Sequence, residues 1–416
     1  MDDRKPLLLI SDDPSAPTGL GRICRDLATR IYANLSDVYQ LGVAGIGGTG
    51  SCKFGWAQYH LEGVTEWVCP SLPEIVKDFA GKERCTVFPI WDAHRLSWFS
   101  QPQRLGGESL ARFPRLQQWL TKSNIEKWIY APVDASGPND KLTFPLALTL
   151  LGFDRILAYG QFGEDVIRRT IGDEEANKRH LTNLPHGVDS SVFYEHDRKM
   201  SRDIFFQYTG AQSILALLGV SGATTKPIED DEYVLGMVCT NQSRKDLPLA
   251  LETCSTLARD RKLRVWLHLD KLEGSWSVPS LLIDFGLLEK TVISLGVITD
   301  QQLAVGFSAC DITLGPGSEG FGLPIAESLA CHTPVVTGSY AGAADFVPKK
   351  FMVSPVAFRY EGSYGCKRPV YHAEDWARKV DQILRTVPRS KVCLDPKYEW
   401  NVNWLAWEKY LREAAK

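Results

Sequence analysis

The sequence predicts an α/β protein built from two doubly wound domains, and three observations carry that prediction. Short apolar, β-rich runs alternate with stretches of helical periodicity along most of the 416 residues. The runs are apolar continuously rather than at every second residue, as strands buried on both faces require. The alternation also occurs twice, lapsing near residue 200 and restarting after 230.

In order, the first set of strands is predicted at Leu7–Ile10, Val38–Val43, Thr86–Ile90, Trp128–Val133, Arg155–Tyr159 and Leu181–Pro185. The second set is Tyr233–Cys239, Leu263–Leu269, Val292–Leu295, Asp311–Gly315, Pro334–Thr337 and Phe351–Val353. This gives an N-terminal domain over 1–200, a linker over 201–230 containing Ser221–Lys226 and most of the acidic run Glu229–Glu232, and a second domain over 231–397. Trp400, Trp404, Trp407 and Tyr410 recur at spacings of three and four, predicting a C-terminal helix over 398–416.

Composition narrows the function classes. Lys plus Arg is 47 and Asp plus Glu is 50, a net charge of −3, which argues against coating nucleic acid by bulk charge. No apolar run approaches the roughly 18 residues of a membrane span, and the first residues do not read as a signal peptide. The ten cysteines are scattered from Cys24 to Cys393 without a C-x-x-C pair, so reduced thiols and a cytoplasmic location are expected.

Ligands of open α/β sheets bind at the carboxyl ends of the strands. After the first strand comes Ser11-Asp-Asp-Pro-Ser-Ala-Pro-Thr-Gly-Leu-Gly-Arg22, leading into a helix with Ile23, Leu27 and Ile31 on one face. Gly19 and Gly21 would let the backbone approach an anionic ligand; equally, the segment reads as a plain βα turn with Thr18 as N-cap. The richest loop runs Gly315-Pro-Gly-Ser-Glu-Gly-Phe-Gly-Leu-Pro324 and opens a second helix. Gly320 and Gly322 place backbone amides at a helix N-terminus, suited to a phosphate. Glu319 and Glu327, seven residues apart, are acceptors for vicinal hydroxyls. Diphosphate on amides and hydroxyls on carboxylates together describe a nucleotide sugar.

The segment Glu319–Glu327, followed by Thr333-Pro-Val-Val-Thr337 and Gly338–Asp345, resembles the E-x7-E signature of retaining GT-B glycosyltransferases, the glycogen-synthase-like and mannosyltransferase-like group 1. Thr18–Arg22 is similar to that family's N-terminal glycine loop, and Leu184-Pro-His-Gly-Val-Asp-Ser-Ser-Val-Phe193 to its segment ahead of the interdomain linker. Asn241-Gln-Ser-Arg-Lys245 falls where the family carries its Arg/Lys pair. The resemblance implies a GT-B fold of two Rossmann-like domains facing a cleft, with the C-terminal helix crossing back onto the N-terminal domain. It implies an enzyme that moves a sugar from a UDP- or GDP-type nucleotide sugar to a hydroxyl acceptor with retention of configuration. Arg244 and Lys245 would stabilise the leaving diphosphate, the amides of Gly320, Phe321, Gly322 and Leu323 would contact diphosphate or sugar, Glu319 the sugar and Glu327 the ribose. At the family's catalytic-region His, this chain offers Asp92, or His94 in second place. It also departs at Tyr159-Gly160, where the family usually has Ser, and at His186, where it has Asn.

No Asp-x-Asp occurs in the chain and the His and Cys spacings fit no metal site, so neither a metal nor another cofactor is expected. For the acceptor, residues 95–122 stand out, with Arg95, Arg104, Arg112, Arg115 and Lys122 against Glu108 alone, interleaved with Trp98, Phe99, Phe113 and Trp119. Basic plus aromatic suits DNA, including a hydroxymethylated base of the phage type, or an anionic glycan or lipid, with Arg112 and Arg115 as contacts. The same residues also make an amphipathic helix near 109–121 with Leu110, Phe113, Leu116 and Leu120 in the core. Asp134, at the end of the fourth strand, would touch the acceptor or cap a helix. Two further readings stay open: an inactive nucleotide-sugar-binding subunit, and a nucleotide-sugar 2-epimerase.

Overall fold

The computed structural model describes residues 4–48, 54–64, 67–103 and 110–416. It divides into two compact units, one of Met1–His186, Glu361–Cys366 and Asn401–Lys416, the other of Gly187–Tyr360 and Lys367–Trp400.

The first unit holds a seven-stranded parallel sheet in the order β3-β2-β1-β4-β5-β6-β7. Its strands are β1 (Lys5–Asp12), β2 (Tyr39–Ile46), β3 (Ala57–His60), β4 (Thr86–Pro89), β5 (Glu126–Ala131), β6 (Arg155–Ala158) and β7 (Thr182–Asn183). Leu7, Leu8 and Leu9 are fully buried, as the continuous apolar run demands of a strand covered on both faces. Helix α1 (Gly19–Asn34) leaves β1 with the Thr18 hydroxyl accepting from the Gly21 amide at 3.0 Å, and it buries Ile23, Leu27 and Ile31.

The second unit's sheet runs β14-β13-β12-β9-β10-β11-β8, parallel except for β8. Here the strands are β8 (Gln212–Ser213), β9 (Tyr233–Val238), β10 (Leu263–Leu269), β11 (Thr291–Leu295), β12 (Ile312–Gly315), β13 (Val335–Gly338) and β14 (Met352–Val353). Numbered from the first long strand of each unit, both sheets have the doubly wound order 3-2-1-4-5-6. The order therefore reverses between β1 and β4 in one unit and between β9 and β12 in the other, and the loops after those strands flank a crevice.

The twelve predicted strands all form. What the apolar pattern misses are the strands that bury little: edge strand β3, the two-residue β8, and a hairpin of β15 (Ala357–Glu361) and β16 (Cys366–Val370), where Phe358 and Tyr360 stand exposed.

Two expected boundaries need correction. The division falls at His186/Gly187 rather than at residue 200, and residues 201–230 belong to the second unit rather than to a linker. Helix α2 (Arg198–Thr209) is capped by Asp197, which accepts from the Met200 amide at 2.7 Å, and its Phe205 ring packs edge-on to Trp266 at 5.5 Å. Further along, Arg264 on β10 donates to the carbonyls of Lys226 and Pro227 and pairs with Glu232 at 3.1 Å. Small and acidic composition made this stretch look free, but one buried guanidinium fastens it.

The C-terminal helix α3 (Trp400–Ala414) contributes Asn401 onward to the first unit. Trp407, fully buried, donates to the Pro185 carbonyl at 3.0 Å, and the Tyr39 hydroxyl donates to the Leu411 carbonyl at 2.8 Å. His186 lies in this core: Tyr130 is 2.8 Å from its Nδ1, and burial lowers its pKa to about 3, so it is a neutral packing residue. Among the described residues no cysteine is in a disulfide. Among the described residues no helix is long and apolar enough to cross a membrane.

Candidate active-site elements in the two units

In the second unit, the loop after β9 makes a single 3-10 turn, Ser243–Lys245, and Asp246 follows in the left-handed region at φ 49°. That turn carries Arg244 and Lys245 beside the loop after β12. Arg244 donates to the Ser318 carbonyl and to Glu319 Oε2, both at 3.0 Å, while Lys245 pairs with Glu319 Oε1. The Ser318 amide returns a bond to the Arg244 carbonyl at 3.2 Å, so the two loops are stitched together. Gly317 is what permits this: a Cβ there would lie 2.7 Å from the Arg244 carbonyl oxygen and from Lys245 Cα. Gly322, at φ 102°, opens the helix Leu323–Ala330 with Pro324 in its first turn.

The electrostatics of this group are coupled. Burial alone would raise the Glu319 carboxyl, but Lys245 and Arg244 outweigh it and hold the pKa at about 2. Burial lowers Lys245, and Glu319 partly restores it. The result is a carboxylate clamped by two cations in a crevice lined by Cys239, Lys245, Gly315, Gly317, Glu319 and Ile325. Such an arrangement offers two cations to an incoming dianion and one carboxylate to hydroxyls, provided the internal pairs exchange.

The other expected residues fall around this group in different ways. Gly320 is half-buried beside Glu319, and Leu323 begins the helix. The Phe321 side chain is 4% exposed and packs against Phe346 at 5.0 Å and Tyr398 at 6.0 Å, which leaves only its backbone for a ligand. Glu327 is 1% exposed and does not line the crevice. Sequence reasoning missed Ser318, whose buried hydroxyl has no hydrogen-bond partner among the described residues, and its only signal was its place between Gly317 and Glu319.

In the first unit, Asp12 ends β1 and accepts from Thr18 Oγ1 at 2.6 Å and from Trp91 Nε1 at 3.3 Å. Gly19 is open on its surface, with nothing within 4 Å of a built Cβ. Gly21 has a purely internal reason to be glycine, because a Cβ would lie 2.6 Å from the Asp13 carbonyl oxygen. After β4, Asp92 pairs with Arg95 at 3.3 Å, and the Arg95 guanidinium lies 3.9 Å from the centre of the Trp67 ring. His94 lies on the 3-10 turn Ala93–Leu96, its ring 5.1 Å from Tyr364 of the same unit. Burial lowers its pKa although Asp92 and Asp134 pull the other way, so the imidazole is neutral at pH 7. Asp12, Arg95 in its pairing role, and Tyr364 had not been singled out, since none lies in a recognisable spacing.

The basic and aromatic segment resolves into core and surface. Trp98 and Phe99 are 3% and 0% exposed, and Leu110, Leu116 and Leu120 are buried as the amphipathic-helix reading requires. Phe113 and Trp119 pack against the same core while Arg112 and Arg115 are exposed. The helix runs Pro114–Lys122, and Arg104 and Glu108 lie outside the described residues. Two of the four aromatics are thus unavailable to stack on a base. No group of three His, Cys, Asp or Glu that could hold a metal ion occurs among the described residues.

Residues 224–392 match the sequence profile of the family "Glycosyl transferases group 1". Among curated proteins, the chain is 32% identical over 114 residues to a D-inositol 3-phosphate glycosyltransferase of Mycobacteroides abscessus, covering 27% of this chain and 23% of that one. It is 27% identical over 240 residues to the protein of the same description from Mycobacterium tuberculosis, covering 55% and 42%. The matches thus span less than half the length of these relatives. Among solved structures, Anabaena HepE in complex with UDP and glucose superposes with a TM-score of 0.64 at 12% identity, over 98% of this chain and all of that one. At that identity the likeness shows the fold, and the fold is GT-B.

Proposed function

We propose that this chain, related to the group 1 glycosyl transferases through residues 224–392, transfers a sugar from a nucleoside-diphosphate sugar to a hydroxyl acceptor with retention of configuration and without a metal. The observation that carries the reading is Glu319 held between Arg244 and Lys245 at the switch point of the second sheet.

On donor binding, the diphosphate takes over the two cations. Arg244 gives it a planar fork and Lys245 a point charge. Glu319, released, accepts from hydroxyls of the sugar, and Glu327 serves the ribose. As the bond between the anomeric carbon and the phosphate oxygen breaks, the negative charge grows on that oxygen, where Arg244 and Lys245 already stand. The acceptor hydroxyl forms the new bond on the same face, and its proton passes to the departing phosphate oxygen. Asp92 and His94 orient the acceptor or sugar; neither needs to act as a conventional base. The two cations fill the place that a metal holds in other sugar transferases.

A second reading of the acceptor is favoured by the exposed Arg112 and Arg115, which suit an anionic glycan or lipid, or DNA held by its phosphates. The relatives' description, D-inositol 3-phosphate glycosyltransferase, also points to an anionic acceptor.

Thermal stabilisation by a panel of UDP- and GDP-sugars tests the reading. A true donor at 100 times its Kd contributes about 2.7 kcal/mol, and Glu327→Ala should weaken it about tenfold to a hundredfold. No stabilisation by any donor would leave an inactive relative of the fold.

A further inference from the structure

Trp67 stands in the left-handed region of the backbone, at φ 69°. That conformation suits glycine or asparagine, and for a side chain as bulky as an indole it is an outlier. Such strain persists only where the surroundings over-determine the conformation, and it gathers at working sites. The chain just beyond is held fast: Val68 and Cys69 are fully buried, and the Cys69 thiol donates to the Trp67 carbonyl at 3.6 Å. Packing does not account for the side chain, because Trp67 remains 38% exposed. A glycine would make this turn without strain. What it would lose is the ring.

The ring has two neighbours of consequence. On its face lies the Arg95 guanidinium, 3.9 Å from the centre. At its edge is Trp91, 6.0 Å away between centroids and inclined at 65°. Each of these neighbours holds a carboxylate: Arg95 Nε pairs with Asp92 at 3.3 Å, and Trp91 Nε1 donates to Asp12 at 3.3 Å. The Arg95 backbone is already fixed, since its carbonyl accepts from Trp98 Nε1 at 2.9 Å and its amide donates to the Asp92 carbonyl at 3.0 Å. Only its long side chain is left to wander. Arg95 and Asp92 are both half-buried, and such a pair is loose when nothing else restrains it. A planar guanidinium laid on an indole loses that freedom.

We propose that Trp67 is a positioning residue for sugar transfer, its ring holding Arg95 on Asp92 and Trp91 on Asp12 so that both carboxylates keep one orientation. The inference rests on the glycosyltransferase reading, in which Asp92 orients the acceptor or sugar, and adds to it a residue that acts through its neighbours.

The test is a double-mutant cycle in the full chain. Trp67→Leu keeps apolar volume without an aromatic face, Trp67→Phe keeps a face, and Arg95→Met removes the cation. Trp67→Gly, which satisfies the left-handed backbone, supplies a second ring-free variant should Trp67→Leu fail to fold. Turnover is read as nucleoside diphosphate released from UDP-glucose or GDP-mannose, with myo-inositol 3-phosphate or water as acceptor, well below the Tm of every variant. Losing the ring should lower kcat about tenfold or more while donor affinity stays within about twofold, and Trp67→Phe should recover most of the loss. Trp67→Leu with Arg95→Met should lose no more than Arg95→Met alone. A second readout needs no turnover: the Arg95 Nε–Hε NMR signal, assigned by its loss in Arg95→Met, should exchange slowly with solvent in wild type and Trp67→Phe and rapidly in the ring-free variants. Slow exchange without the ring would overturn the proposal, as would losses that add in full in the double variant. No turnover in the wild type would sink the glycosyltransferase reading and this role with it. Turnover unchanged in the ring-free variants would sink this role alone, so the two failures are told apart.

Discussion

The two units share one topology, with the chain order reversing between β1 and β4 in the first and between β9 and β12 in the second, yet the charged groups after their strands differ. In the second unit two cations and a carboxylate satisfy one another. In the first, the carboxylates already have partners within the unit: Asp12 accepts from Thr18 and Trp91, and Asp92 pairs with Arg95. A doubly wound sheet fixes where a ligand binds; the side chains after each strand fix which ligand.

That contrast can be broken most forcefully from the second unit. Arg244→Ala combined with Lys245→Ala removes both cations proposed to face the leaving diphosphate and should lower kcat by at least about a hundredfold to a thousandfold, measured as nucleoside diphosphate released. Next in size, Gly317→Ala drives a methyl against the backbone of Arg244 and Lys245. It should cost about 1–3 kcal/mol of stability and weaken donor binding, both read from thermal melts with and without nucleotide.

The pH dependence is smaller and has a definite sign. The Glu319 pKa is held at about 2, below its usual value of 4.5. Its ion pairs therefore stabilise fully above pH 4.5, and that stability is lost as pH falls through about 2. Melting curves of wild type and Glu319→Gln should diverge above pH 4.5 and converge toward pH 2; parallel curves would remove the clamp from the account. The smallest effect belongs to Arg112→Glu with Arg115→Glu. Both side chains are exposed, so stability should move within about 0.5 kcal/mol and donor binding should not shift. A tenfold loss of transfer would favour the anionic acceptor.

The loops of the second unit were far more legible in the sequence than those of the first. Glycines, a cation pair and carboxylates at fixed spacing made Arg244, Lys245 and Glu319 stand out, and the three meet in space, although the ion pairs that join them were not part of the reading. In the first unit, Asp12 ends one strand while Asp92, Asp134 and Tyr159 follow three others. No local spacing records that they share an end of the sheet, and Tyr159 had drawn notice only as a departure from a family pattern. Buried strands such as β10 were readable to the residue because both faces are apolar. The β15–β16 hairpin was not, since strands that bury nothing leave no continuous apolar run. The 95–122 segment misled in part because a buried Trp98 and a stacking Trp98 look identical in sequence.

The central claim is the exchange at Glu319, and calorimetric titration of Glu319→Gln tests it most directly with UDP and GDP and with their glucose and mannose esters. If the carboxylate competes with the diphosphate for Arg244 and Lys245 and afterwards serves the sugar, the variant binds the bare nucleoside diphosphate as tightly as wild type or tighter. It should then lose the added affinity that the sugar confers. Equal weakening of both ligands would make Glu319 a structural strut, and no change in either would place the donor elsewhere.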